Sequence, residues 1–153
     1  MLLLMNAKKM QHKTIKYMQL TPYIMFNGNC EEALNFYAKA LGGGIVHLFR
    51  YEGSPMESMA SDKQKIMHAT MIAKDITIKG ADDERSGTEN KGSGAVHLNI
   101  NFDNPDEEEK VFNALVEGGK STMSLQDTFW GSKFGMLTDK FGVNWMFNCG
   151  KKK

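Results

Sequence analysis

The side chains with the widest chemical reach in this sequence are its four histidines, His12, His47, His68 and His97, and its two cysteines, Cys30 and Cys149. His97 opens the run His97-Leu98-Asn99-Ile100-Asn101, where polar and apolar residues alternate. In a strand, Val96, Leu98, Ile100 and Phe102 point to one side and His97, Asn99 and Asn101 to the other. The apolar side packs under a helix; the polar side meets either water or a pocket, and alternation alone leaves both open. In a pocket, the imidazole and the two amides would anchor a small molecule. His68, in the run Lys65 to Ile72, is a second imidazole able to join them. Phe129, Trp130, Phe134 and Trp145 offer an aromatic surface on which such a ligand would stack. Two histidines hold Zn²⁺ or Ni²⁺ weakly and need further ligands, for which Glu52 or Asp139 are the available carboxylates. His47 reads as an ordinary strand histidine, and His12 lies in the N-terminal extension.

Other chemistries find no support in the spacing of residues. The two cysteines form no CxxC or zinc-ligand pattern, so a reducing cytoplasm is the default compartment. Cys30 falls in the first turn of an expected helix, where the dipole can lower a thiol pKa, although a structural role is the simpler reading. Gly42-Gly43-Gly44 and Gly92-Ser93-Gly94 lack the spacing of a nucleotide fingerprint. There is no GxSxG elbow, and no glycine-rich strand-to-helix turn to seat a methyl donor. The net charge of +1, from 19 basic and 18 acidic residues, gives no field that would draw nucleic acid or a membrane surface.

The elements that must position these residues follow from periodicity. With 41% hydrophobic and 24% charged residues among 153, the chain can bury one ordinary core. Residues 1–17 read as a loosely attached extension whose apolar start is too short for a signal core or a membrane span. Thr21 to Phe26 is an expected strand, and Asn29 is an expected N-cap for a helix over Cys30 to Leu41, stopped by the glycine triplet. Strands follow at Ile45 to Glu52, Lys65 to Ala73 and Ile76 to Gly80, with a polar loop from Gly53 to Gln64. Residues 82–94 read as a linker.

The order then recurs. Ala95 to Phe102 is a strand, Asp106 to Glu117 a helix, and Lys120 to Leu125 a strand. A hairpin over Phe134 to Asp139 and Val143 to Asn148 turns at Asp139-Lys140-Phe141-Gly142. The two helices align as EEALNFYAKALGG against EEEKVFNALVEGG. The expectation is an α+β chain made of a duplicated βαβββ unit, over residues 18–81 and 95–149, ending in a basic tail at 150–153.

Three segments, NGNCEEALNFYAKALGG, KIMHATMI and LQDTFWGSKFGMLTDKFGVNWMFNC, resemble the PhnB-like (demethylubiquinone methyltransferase-like) branch of the glyoxalase/bleomycin resistance, or vicinal oxygen chelate, superfamily. The resemblance covers Met18 to Cys149. It implies two βαβββ modules whose curved sheets enclose a cavity, and a homodimer. In the superfamily's enzymes, four ligands on the first and last strands of the modules hold a divalent metal. Carried onto this sequence, those places fall at Pro22 or Thr21, near Lys79, at His97 and at Met146. Only His97 suits a hard divalent ion. The sequence therefore points to a cytoplasmic small-molecule binder with no tightly held cofactor. The alternative is a lyase, isomerase or dioxygenase using Zn, Ni, Mn or Fe with His97 and His68.

Overall fold

The structure is a computed structural model that describes residues 18–83 and 92–150. The expected extension, the middle of the linker and the lysine tail lie outside them. The first module runs β1 (Tyr23–Phe26), α1 (Cys30–Leu41), β2 (Gly44–Arg50), β3 (Ile66–Ala73) and β4 (Ile76–Asp82). The second repeats it as β5 (His97–Phe102), α2 (Pro105–Val116), β6 (Lys120–Asp127), β7 (Ser132–Thr138) and β8 (Asn144–Gly150). The sheet orders are β1-β4-β3-β2 and β5-β8-β7-β6, each with one parallel pair between its first and last strands. This is the expected α+β duplication.

Both helices form where periodicity placed them, but their N-termini are capped differently. Asn104 accepts hydrogen bonds from the backbone N–H of Asp106 at 2.8 Å and of Glu107 at 3.4 Å, with Pro105 following at the first helical position. Asn29 makes no such bond, and its buried Oδ1 has no partner among the described residues. The cap of α1 comes instead from Asp82, at the end of β4. Its carboxylate accepts from Cys30 N at 2.9 Å and from Ile66 N at 2.8 Å. That correction also carries β4 two residues past its expected end, because Asp82 is needed under the helix.

One hydrophobic core joins the two modules. Leu34 and Tyr37 of α1 and Met71 and Ile78 of the first sheet belong to the same buried cluster as Leu115, Trp145 and Phe147 of the second. Phe141, in the β7–β8 turn, crosses over to meet Phe26, Phe36 and Tyr37 edge-on at 5.6 to 6.3 Å. Beside it the buried Asp139 carboxylate accepts from four donors. They are Phe141 N at 2.8 Å, Val143 N at 3.0 Å, Tyr37 Oη at 2.7 Å and Trp145 Nε1 at 2.9 Å. Burial and the neighbouring Asp139 charge hold the Tyr37 phenol far above its ordinary pKa, so it remains a donor.

The faces of the sheets away from the helices lie open. Tyr23, Met25, Phe49 and Ile72 are exposed on the first and Met123 on the second. The sheets do not close around an internal cavity within one chain, so the enclosed cavity implied by the resemblance is replaced by open clefts.

Candidate functional site

The open face of the second sheet is built by two adjacent parallel strands with the same alternation. Register sets His97 beside Asn144, Asn99 beside Met146, and Asn101 beside Asn148. Five of these six side chains carry polar groups, while Leu98, Ile100, Trp145 and Phe147 turn to the core. The row is partly tied together. Asn148 Nδ2 donates to Asn101 Oδ1 at 3.2 Å, and Asn144 accepts from Thr138 Oγ1 at 2.7 Å while donating to the Gly94 carbonyl at 2.7 Å. His97 Nδ1 lies 3.3 Å from the Ala95 carbonyl, which can only accept, so a proton on Nδ1 leaves Nε2 free to face a ligand. Asn99 has no side-chain partner among the described residues and is exposed.

His97, Asn99 and Asn101 line a cleft of about 550 Å³ at the seam between the modules. Its other wall comes from residues 19–22 ahead of β1 and residues 75–78 at the start of β4. Trp145 reaches this cleft from below. Its ring is 1% exposed and its N–H belongs to Asp139, so the indole is first a core residue. The other three aromatics stand elsewhere. Phe129 and Trp130 project from the β6–β7 turn, 97% and 57% exposed, in an edge-on chain with Phe134 at 4.9 and 6.1 Å. They do not line this cleft.

His68 belongs to the other sheet. Tyr23 Oη lies 3.0 Å from its Nδ1 and Thr70 Oγ1 3.3 Å from its Nε2. No hydrogen bond or ring contact joins His68 to His97 among the described residues, so the structure does not bring the two imidazoles together. Glu52 and Asp139 do not join them either. Glu52 accepts from Gln64 Nε2, and Asp139 is committed to its four donors. Cys30 is fully buried, and burial, with the Asp82 and Glu31 charges adding, pushes its thiol up to about 12. Desolvation therefore overrides the helix dipole, and the expected possibility of an activated thiol is corrected.

The four metal positions implied by the superfamily can be placed by register. Tyr23 pairs with Lys79 as Asn99 pairs with Met146, so the first strand offers Thr21 where the fifth offers His97. A hydroxyl, an ammonium, an imidazole and a thioether do not make a site for a hard divalent ion. Among the described residues, no three His, Cys, Asp or Glu side chains converge. The residues present do not fit the metal.

Sequence reasoning missed Asn144 and Asn148, although the Asn-Trp-Met-Phe-Asn alternation of β8 carries the same signal as the HxNxN run. Tyr23, Thr70 and Lys79 gave no local signal, because only cross-strand register brings them beside His68.

The profile of the 3-demethylubiquinone-9 3-methyltransferase family matches residues 18–147. Protein YjdN of Escherichia coli (strain K12) is 32% identical over 144 residues, spanning 89% of this chain and 98% of its own. The crystal structure of protein PA1353 from Pseudomonas aeruginosa superposes with a TM-score of 0.79 at 39% identity, covering 89% of this chain and all of that one. A putative 3-demethylubiquinone-9 3-methyltransferase, the PhnB protein from Bacillus cereus, gives 0.72 at 27% identity, over 87% of this chain and all of its own. At the level of the fold alone, a glyoxylase/bleomycin resistance protein/dioxygenase domain from Frankia superposes with a TM-score of 0.58 at 10% identity. The chain thus belongs to the PhnB-like 3-demethylubiquinone-9 3-methyltransferase family, and has the glyoxalase/bleomycin resistance fold.

Proposed function

We propose that the protein binds a small, oxygen-bearing molecule in the seam cleft, held by directional hydrogen bonds without a tightly bound metal. The observation that carries this reading is the row His97, Asn99 and Asn101, which lines the cleft, with the Asn99 amide unpaired among the described residues. Two amides and an imidazole on one wall select for hydroxyl and carbonyl groups, and Asp75 brings a carboxylate to the opposite wall. The donor set at Thr21, Lys79, His97 and Met146 supports the metal-free reading over the superfamily's chelating chemistry. The family's name speaks of methyl transfer, but the strand-to-helix turn after β1, Asn27-Gly28-Asn29, has a single glycine and no phosphate- or donor-cradling spacing. Both open faces carry exposed apolar side chains, and a second copy of the chain would roof them at a distance and leave room for the ligand, making the working unit a homodimer. No helix among the described residues is long and apolar enough to cross a membrane.

A thermal-shift screen with small hydroxylated and carbonyl metabolites tests the reading directly, because a ligand of the folded state raises its melting temperature. His97→Ala combined with Asn99→Ala should remove most of the shift given by any hit while leaving the unliganded melting temperature within a few degrees. A hit whose shift survives both changes places the ligand elsewhere. Untagged protein should carry far less than one transition metal per chain by elemental analysis; stoichiometric metal overturns the metal-free reading. The two tryptophans separate a further point. Trp145 is buried and Trp130 exposed, so ligand-dependent quenching that disappears in Trp130→Phe would show that the β6–β7 turn closes over the ligand. Quenching that persists there would assign the signal to Trp145 under the cleft.

A further inference from the structure

The open face of the first sheet has a different chemistry from that of the second. Register sets Tyr23, Lys79, Thr70 and His47 in one row across β1, β4, β3 and β2. Next to it, Met25 pairs with Ala81 and Phe49 with His68. Ala81 is the small residue between the outer strand and His68. It leaves room for the Tyr23 ring to lean across β4, with ring centroids 5.6 Å apart and the hydroxyl on Nδ1. None of these eight residues is acidic. Lys79 has no side-chain hydrogen bond or ion pair among the described residues, unlike Lys63, Lys74, Lys133 and Lys140, which all pair with glutamates.

Tyr23, His68 and Thr70 form a chain whose direction depends on the imidazole proton. With Nε2 protonated, Tyr23 O–H donates to Nδ1 and Nε2–H donates to Thr70, so the phenol hydrogen is spent on His68. With Nδ1 protonated instead, Nδ1–H donates to Tyr23 Oη, Thr70 O–H can donate to Nε2, and the phenol hydrogen turns outward. Burial raises the Tyr23 phenol above its ordinary pKa, so it stays a donor in either arrangement. Thr70 is buried, which leaves Tyr23 as the exposed end of the chain.

We propose that this face is an oxyanion subsite, in which Lys79 and the Tyr23 hydroxyl grip an anionic oxygen of the ligand and His68 positions the hydroxyl. It rests on the small-molecule reading above and narrows the ligand to one bearing a carboxylate, phosphate or similar group. The charged and titratable groups around this chain include Lys79 from β4, His47 from β2, where it stacks on Phe49 at 6.4 Å, and Tyr51, which acts electrostatically on Tyr23. A hydrogen on Nδ1 frees the phenol hydrogen for the ligand, so His68 sets the direction in which Tyr23 donates.

The test is a backbone-amide NMR titration of the full chain with sodium sulfate, against sodium chloride at equal ionic strength. Saturable shifts centred on Tyr23, His68, Thr70 and Lys79 are expected. Lys79→Gln and Tyr23→Phe should each weaken sulfate about tenfold. His68→Gln should weaken sulfate several-fold, while His47→Gln should leave it nearly unchanged, with melting temperatures showing each variant folded. Shifts centred on Asn99 and Asn101 would overturn the subsite and leave the seam-cleft reading standing. Shifts at neither sheet, or a change below twofold in both Lys79→Gln and Tyr23→Phe, overturn the subsite as well.

Discussion

Asp139→Ala is expected to cost about 4 kcal/mol of stability, or to prevent folding altogether, because it strands four buried donors at once. The carboxylate is 4% exposed and serves both modules. Oδ1 takes the two backbone N–H groups that close the β7–β8 turn, and Oδ2 takes Tyr37 from α1 and Trp145 from β8. Alanine leaves the Trp145 N–H with nothing to bond, since an indole cannot accept and cannot rotate its donor away. Tyr37→Phe removes one of the four donors and leaves the acceptor with three, so its cost should be about 1 kcal/mol. Asp139→Asn should fall between them. Its oxygen can keep the turn, but its amide hydrogens then confront Tyr37, which can turn to accept, and Trp145, which cannot. Chemical or thermal unfolding of the three variants gives the order. A loss in Asp139→Ala no larger than that in Tyr37→Phe would mean that water fills the site and the four bonds are not cooperative.

This clamp matters to the proposed site because Trp145 ties the floor of the seam cleft to α1 of the other module. A ligand at His97 and Asn99 sits on a strand pair whose far side is held by Asp139. Loosening the clamp should therefore weaken binding without touching any residue that contacts the ligand. The same arrangement explains why the second sheet can present a row of polar side chains. Trp145 and Phe147 on the reverse face supply the burial that fixes register, and register fixes which residues face out.

Much of this was legible in the chain, for definable reasons. Period-2 alternation gave β5 its two faces, and the apolar positions of Cys30 to Leu41 and Pro105 to Val116 gave both helices their buried stripes. The aromatic residues were read by type rather than by facing. In β8, Trp145 alternates with Asn144 and Met146, which already puts it on the core side. Its indole is large and apolar, so composition alone suggested a stacking surface when packing had claimed it. Asp82 was hidden in an apparent linker because its partners, Cys30 and Ile66, are 52 and 16 residues away. Asn29 looked like a cap for the same reason in reverse: a local rule gave way to a better-placed carboxylate from another strand. The Tyr23–His68–Thr70 chain was beyond reach of any local pattern, since it exists only when β1, β4 and β3 pair in one particular register.

The glycine triplet after α1 gives the sharpest case, and the last expected result. The sequence shows three equivalent helix stops, Gly42, Gly43 and Gly44, but the structure asks a different thing of each. Gly42 has φ +76 with open space around its Cβ position, so Gly42→Ala should cost about 1 kcal/mol for the left-handed backbone alone. Gly43 has no unusual φ, but a Cβ there would lie 2.1 Å from the Ile72 carbonyl and 2.5 Å from Ala73 Cβ. Backbone cannot yield that much without moving β2 off β3, so Gly43→Ala should cost about 3 kcal/mol. Gly44 has neither restriction, and Gly44→Ala should stay within about 0.5 kcal/mol of neutral. The second module has the same pattern: Gly118 at φ +71, Gly119 with its Cβ position 2.3 Å from the Thr138 carbonyl, and then Lys120, a residue with a full side chain at the third place. Unfolding of the three alanine variants measures the gradient. Gly43→Ala should also disturb the amides of His47 and Phe49, because β2 carries both. A Gly44→Ala variant as costly as Gly43→Ala would show that the triplet acts as one flexible stop, and that the match with Gly118, Gly119 and Lys120 is coincidence.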